Sequence, residues 1–108
     1  MSSGWIFLLL AAGFEVLFAM AMKYAEGFTR LLPSILVVAA ASAGIYFLTL
    51  ALRDLPVSIA YPIWTGIGTL GTVLLGALLL GEALTPLKFL SIALIVAGIA
   101  GLNSTWSG

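Results

Sequence analysis

The sequence predicts an all-α membrane protein, with four transmembrane helices in a single domain that spans residues 1–108. Apolar side chains make up 63% of the chain and charged side chains only 7%. A soluble domain carries about 25% charged residues, so this chain has too few charges to cover a surface that faces water. Four apolar runs, separated by short polar segments, come close to the roughly 20 residues that cross the hydrocarbon core.

The polar segments and prolines set the bounds of each predicted span. Lys23 closes the first run, and Arg53-Asp54 separates the second from the third. Pro33 and Pro86 open the second and fourth, because a proline is tolerated in the first turn of a helix. All charges except Glu15 fall at these boundaries. The predicted spans are residues 5–22, 33–52, 57–80 and 86–102.

The composition excludes several classes of function. The chain has no cysteine and no histidine, which removes thiolate and imidazole metal ligands, and no cofactor is implied. Its net charge of zero gives no basic surface for nucleic acid. No nucleophile–base pair or phosphate-binding loop suggests an enzyme, since the glycines of segment 66–68 lie within an apolar span. The first run lacks a basic leader and is too long for a signal peptide, so we expect it to remain a membrane span.

The Lys and Arg residues give a small topological signal. The side with both termini carries Arg53 alone, whereas the other carries Lys23, Arg30 and Lys88. The positive-inside rule then puts the termini outside. Because the excess is small, a fixed orientation and insertion in both orientations remain open.

Glu15 is the one charged residue inside a predicted span, and it lies near the bilayer midplane. A carboxylate that faces lipid at this depth costs on the order of 3 kcal/mol. No other span contains a Lys, Arg or His that could pair with it. Glu15 is therefore either protonated or bound to a cation in a wet cavity, and a transporter can use both states in turn. The alternative is a permanently neutral structural acid.

Small and aromatic residues are predicted to surround Glu15. Some share its helical face, and others come from the alanine-rich stretch 39–44 of the second span. Small side chains leave room for a cavity or allow helices to pack closely, and both uses remain open. The predicted lining residues are Ala12, Phe18, Ala19, Ala41 and Gly44.

The third span carries an aromatic pair and several helix-weakening residues. Tyr61 and Trp64 share a face, where their rings can attract a cation or form part of the interfacial aromatic belt. Pro62, Gly66 and Gly68 weaken the helix nearby. We expect a kink at the two glycines, which would let the chain adopt the two shapes that alternating access requires.

The fourth span carries a ridge of small residues at a spacing of four, Ala93, Ala97 and Gly101. Such a ridge is typical of close helix contact in membranes. It can pack within the chain or against a second copy.

A dimer explains how one glutamate per chain can support transport. Two Glu15 carboxylates in one chamber cannot both ionise cheaply, so they titrate as a pair. Protons and an organic cation then compete for the same charge, which is sufficient for antiport. If the copies insert oppositely, the dimer supplies the inverted repeat that larger transporters carry in one chain.

A set of positions spread over most of the chain matches a known family: Glu15-Val16, Lys23 to Arg30, Pro33-Ser34, Leu55-Pro56, Ala60-Tyr61, segment 63–68 and Gly81-Glu82. With these positions the sequence resembles the small multidrug resistance (SMR) transporters. The resemblance implies an antiparallel, dual-topology homodimer in the inner (plasma) membrane that exports small organic cations in exchange for protons. It also implies that Glu15 binds proton and substrate alternately, that Tyr61 and Trp64 line the site, that Gly66 and Gly68 mark a kink, and that the last helix forms the dimer contact.

The sequence falls between two branches of that family. Ala19 and the segment 64–68 resemble the guanidinium exporters, but Phe18 and Gly44 stand where that branch typically has tryptophan and serine. Ala41 stands where the quaternary-ammonium multidrug branch has tyrosine. A less polar site favours bulkier cations, such as quaternary ammonium or substituted guanidinium compounds. A narrow guanidinium exporter and an accessory subunit of a heterodimeric pair are the alternatives.

Overall fold

The structure, a computed structural model, describes residues 3–105. It contains four helices, each long and apolar enough to cross a membrane, which confirms the predicted multi-pass fold. The helices are α1 (Ser3–Ala25), α2 (Leu31–Ala51), α3 (Val57–Leu80) and α4 (Pro86–Thr105).

Three helices extend beyond the apolar runs that predicted them. The first run was bounded at residues 5–22, but α1 continues to Ala25. The second helix begins at Leu31, so that Pro33 lies in its first turn, where the missing N–H leaves no helical bond unmade. The helix α4 continues from residue 102 to Thr105. The added ends of α1 and α4 are partly polar, and hydropathy does not detect them, because helical bonding continues after the apolar run stops.

The helix α1 is the centre of the chain. It packs most extensively against α2 and next against α3, whereas the backbone of α4 approaches that of α3 alone among the described elements. The main core cluster includes the completely buried residues Leu8, Ala11, Ala51 and Ala60. Alanines at these contacts let the helix backbones come close together, which replaces the hydrophobic driving force that lipid does not provide.

The turn between α1 and α2 has an unusual backbone. Glu26, Gly27 and Phe28 all have positive φ, at 48°, 71° and 65°. Such angles are uncommon outside glycine. The Thr29 hydroxyl donates to the Glu26 carbonyl at 2.8 Å, and the Thr29 amide donates to the Ala25 carbonyl at 3.0 Å. These bonds close the end of α1 and hold α2 antiparallel beside it.

The helix α4 lies at the edge of the chain, with no buried residue in its whole length. It packs against α3 at Gly66, where a Cβ would lie 2.9 Å from Ile99 Cδ1. The predicted ridge of Ala93, Ala97 and Gly101 is exposed. Within the part of the chain that the structure describes, nothing covers it.

Candidate cation site

Glu15 lies near the middle of α1, and its side chain rests against α3. A Cβ at Gly68 would lie 2.5 Å from Glu15 Cγ and 3.2 Å from Glu15 Cβ. Because real Cβ atoms do not come this close, the position opposite Glu15 requires glycine. One turn further on, a Cβ at Gly71 would lie 2.5 Å from Val16 Cγ2. The two glycines let α3 approach α1 at the depth of the carboxyl group.

On one side of Glu15 is a half-open apolar space of about 100 Å³, which we call the α2-side cavity. Gly44 contributes no hydroxyl to it, and a Cβ at this position would lie 3.3 Å from Phe14 Cβ. Apart from the Glu15 carboxyl group and the Trp64 indole, its walls are hydrocarbon. The cavity is lined by Phe14, Glu15, Phe18, Ala40, Ala41, Gly44, Ile45 and Trp64.

Trp64 is fixed by a long-range hydrogen bond. Its indole Nε1 donates to the Ala11 carbonyl of α1 at 3.1 Å, one turn before Glu15. The Tyr61 ring meets the Trp64 ring edge-on, with centroids 5.2 Å apart at 65°. With its N–H engaged, Trp64 presents to the cavity an aromatic surface, which attracts cations. Tyr61 supports that ring but is 51% exposed and does not line the cavity.

On the other side of Glu15 is an open groove of about 350 Å³, which we call the α3-side groove. Unlike the cavity it carries hydroxyls, from Thr65, Thr69 and Thr72. Sequence reasoning missed these threonines. Their spacing of four and three on one face of an otherwise apolar helix was the signal that could have found them. The groove is lined by Glu15, Ala19, Thr65, Gly68, Thr69, Thr72 and Val73.

The Glu15 carboxyl group has no hydrogen bond or ion pair to any described side chain of its own chain. All the basic residues lie at helix ends or in turns. A carboxylate in an apolar setting without a partner is costly. The group is therefore available to a proton or to an external cation.

The structure brings most of the predicted lining residues together. Phe18, Ala41 and Gly44 face the α2-side cavity, and Ala19 faces the α3-side groove. Ala12 is buried at 1% exposure and lines neither space.

The two glycines of the predicted kink lie on different faces of α3. Gly66 receives Ile99 of α4, and Gly68 receives Glu15 of α1. The helix is continuous from Val57 to Leu80 with Pro62 inside it. Both glycines thus serve close packing in this conformation, and the kink stays a prediction.

Comparison with known proteins identifies the family. Residues 3–95 match the family described as Small Multidrug Resistance protein. A guanidinium exporter of Citrobacter freundii and one of Salmonella typhimurium are each 53% identical to this chain over 99 residues, covering 92% of it and 94% of the relative. A guanidinium exporter of Yersinia pestis is 47% identical over 99 residues, covering 92% of this chain and 95% of the relative.

These matches extend over all four helices and over Glu15, Trp64 and both spaces beside the carboxyl group. They confirm the resemblance drawn from the sequence and place the protein among transporters rather than enzymes, in the inner membrane. The chain belongs to the small multidrug resistance family of multi-pass membrane transporters.

Proposed function

We propose that the protein is a proton-coupled antiporter that exports small organic cations, with proton and substrate competing for Glu15. The observation that carries this proposal is the unpartnered Glu15 carboxyl group, held at the middle of a membrane-spanning helix between the α2-side cavity and the α3-side groove. A carboxylate at this depth must be neutralised by one positive species at a time.

Competition for one charge is enough to couple the two fluxes. A bound proton removes the charge that attracts the cation, and a bound cation stabilises the ionised form against protonation. Protons that enter from the side of higher concentration therefore displace the cation toward that side. Such exchange requires that the site face the two sides of the membrane in turn.

The substrates we propose are substituted guanidinium compounds first and quaternary ammonium compounds second. The chain is similar to proteins named guanidinium exporters, and this similarity supports a substrate with a guanidinium head group. The α2-side cavity, with Ala40, Ala41 and Gly44 in its wall, offers apolar room for a substituent on that head. The Trp64 ring can stack on a guanidinium plane or meet a quaternary ammonium group.

The functional unit that we propose is an antiparallel homodimer with paired Glu15 residues. One chain offers a single carboxyl group and leaves one flank of its groove open. The small-residue ridge of α4 is uncovered in the described chain and suits close contact with a second copy. Opposite insertion of the two copies makes the inward and outward conformations equivalent.

Reconstitution into liposomes tests the exchange. Vesicles with an acidic lumen should accumulate labelled guanidinium compound as protons leave, whereas vesicles without a pH difference should not. Glu15→Gln should abolish accumulation, because an amide neither binds a proton nor neutralises a cation. Glu26→Gln is the matched control, since Glu26 is an exposed carboxylate in the α1–α2 turn. Transport by Glu15→Gln at the wild-type rate would contradict the proposal.

The same transport experiment distinguishes two alternative functions. If guanidinium is transported and every bulkier cation is refused, the protein is a narrow guanidinium exporter. If the chain alone transports nothing but does so when produced with a second SMR chain, it is one half of a heterodimeric pair.

A further inference from the structure

The three threonines of the α3-side groove form a continuous polar stripe next to Glu15. Thr65, Thr69 and Thr72 are separated by four and three residues, so their side chains share one face of α3. Gly68 lies beside this stripe and receives the Glu15 side chain. Carboxyl group and hydroxyls therefore border the same open space.

Each of these hydroxyls donates its hydrogen bond to a backbone carbonyl of α3. Thr69 Oγ1 donates to the Thr65 carbonyl at 2.7 Å, and Thr72 Oγ1 donates to the Gly68 carbonyl at 2.8 Å. Thr65 Oγ1 lies 3.1 Å from the carbonyls of both Tyr61 and Pro62. A hydroxyl has one donor and two acceptor lone pairs. Toward the groove, the threonines can therefore act only as hydrogen-bond acceptors.

Hydrogen-bond acceptors that have no free donor favour cations that carry N–H groups. A guanidinium head carries N–H groups around a planar centre, and a quaternary ammonium head carries none. Beside a carboxylate, neutral oxygen acceptors can satisfy N–H groups that Glu15 leaves free. The α2-side cavity provides no such acceptor, because Gly44 has no side chain and the Trp64 N–H is a donor engaged with Ala11.

We propose that Thr65, Thr69 and Thr72 form a subsite that accepts hydrogen bonds from the N–H groups of guanidinium-type substrates and so determines the specificity of the transporter. This inference rests on the proposed cation export, and it adds that the groove and the cavity bind different parts of the substrate. The α3-side groove holds the N–H edge of the head group, and the α2-side cavity holds the apolar substituent.

Valine substitutions test this subsite, because valine keeps the β-branched shape of threonine and removes the hydroxyl. The variants are Thr69→Val, Thr72→Val and the double variant. Thr49→Val is the matched control, since the Thr49 hydroxyl also donates to a carbonyl of its own helix, that of Tyr46, but lies on α2 outside both spaces. Affinities of the purified proteins for guanidinium and for tetramethylammonium are measured by calorimetric titration at one pH.

The subsite predicts a selective loss. Each valine should weaken guanidinium binding by about tenfold, as expected for a hydrogen bond to a charged group. The ratio of guanidinium to tetramethylammonium affinity should fall by the same factor, and Thr49→Val should leave this ratio unchanged. If the wild type binds guanidinium but not tetramethylammonium, no affinity ratio can be measured. The subsite is then supported if the groove variants lose guanidinium affinity, Thr49→Val does not, and the melting temperatures are unchanged.

Two results would overturn the subsite without touching the proposed function. One is unchanged guanidinium affinity in the double variant. The other is an equal loss for both cations, which would indicate a general distortion of the site. Failure of the proposed function looks different: a wild type that binds guanidinium but does not exchange it for protons would refute antiport and leave the subsite standing. A wild type that binds tetramethylammonium but no guanidinium would refute the subsite alone, and one that binds neither cation would refute both.

Discussion

The glycines of α3 and those of α4 are used in opposite ways. On α3, Cβ atoms at Gly68 and Gly71 would collide with Glu15 and Val16 of α1. On α4, Cβ atoms at Gly98 and Gly101 would meet no described atom within 4 Å. Both helices are apolar, and both carry small residues at spacings that permit close contact. The glycines Gly68 and Gly71 are used within the chain, whereas Gly101, which belongs to the uncovered ridge of α4, is left available for a contact outside it.

This difference separates the helices that surround Glu15 from the helix that does not. The helices α1, α2 and α3 build the surroundings of Glu15, and their small residues set the distances there. The helix α4 contributes no residue to the α2-side cavity or the α3-side groove. Loss of transport and loss of assembly should therefore be separable by substitutions on the two helices.

The largest effect is expected from Gly68→Ala. The added methyl group would lie only 2.5 Å from Glu15 Cγ, so it must displace the carboxyl group or separate α1 from α3. Misplacing a reacting group by about 1 Å can cost on the order of 100-fold, and we expect a loss of that size in proton-driven uptake. Gly13→Ala is the control, since a Cβ there meets no described atom within 4 Å. Normal uptake by Gly68→Ala would show that the close approach is not required.

A smaller effect, on assembly rather than chemistry, is expected from Gly101→Leu. Gly101 belongs to the exposed ridge of α4, and a leucine there would hold a second helix away. We expect the dissociation constant of the proposed dimer in detergent to rise by about tenfold, measured by dilution and cross-linking. Gly98→Leu is the control, because Gly98 is exposed but lies off the ridge. Equal weakening by both variants would argue against a contact specific to the ridge.

The smallest effect is expected from Gly44→Ser. The space for a Cβ at Gly44 is intermediate between the clash at Gly68 and the open space at Gly101. A Cβ at Gly44 would be 3.3 Å from Phe14 Cβ, so the neighbour must yield by only a few tenths of an ångström. The serine narrows the α2-side cavity and should weaken binding of alkyl-substituted guanidinium by about threefold, close to the transfer free energy of one methylene group. Unsubstituted guanidinium should not lose affinity. Ala43→Ser, on α2 but outside the cavity, is the control.

The sequence predicts features that depend on the polarity of whole segments, but it does not predict which face a helix turns toward its neighbours. Four spans and their approximate limits could be read from hydropathy and charge, because lipid excludes polar residues from whole segments. Glu15 could be singled out for the same reason. The face each helix presents could not, since helices that are apolar all round have no stripe to orient them. This is why Ala40 and the groove threonines were missed, and why Ala12, which was expected to line the site, lines neither the cavity nor the groove.

The residues of this protein determined by themselves that it crosses the membrane four times and carries one ionisable group at mid-depth, because the cost of burying charge in hydrocarbon acts on every residue without regard to its neighbours. Only the tertiary structure decided what that group faces. The glycines at 68 and 71 turn α3 toward α1, the Trp64 indole is tied to the Ala11 carbonyl, and an apolar cavity and a hydroxyl-lined groove are left on either side of Glu15. Those features depend on how each helix is rotated about its axis, which steric fit between helices sets and composition does not.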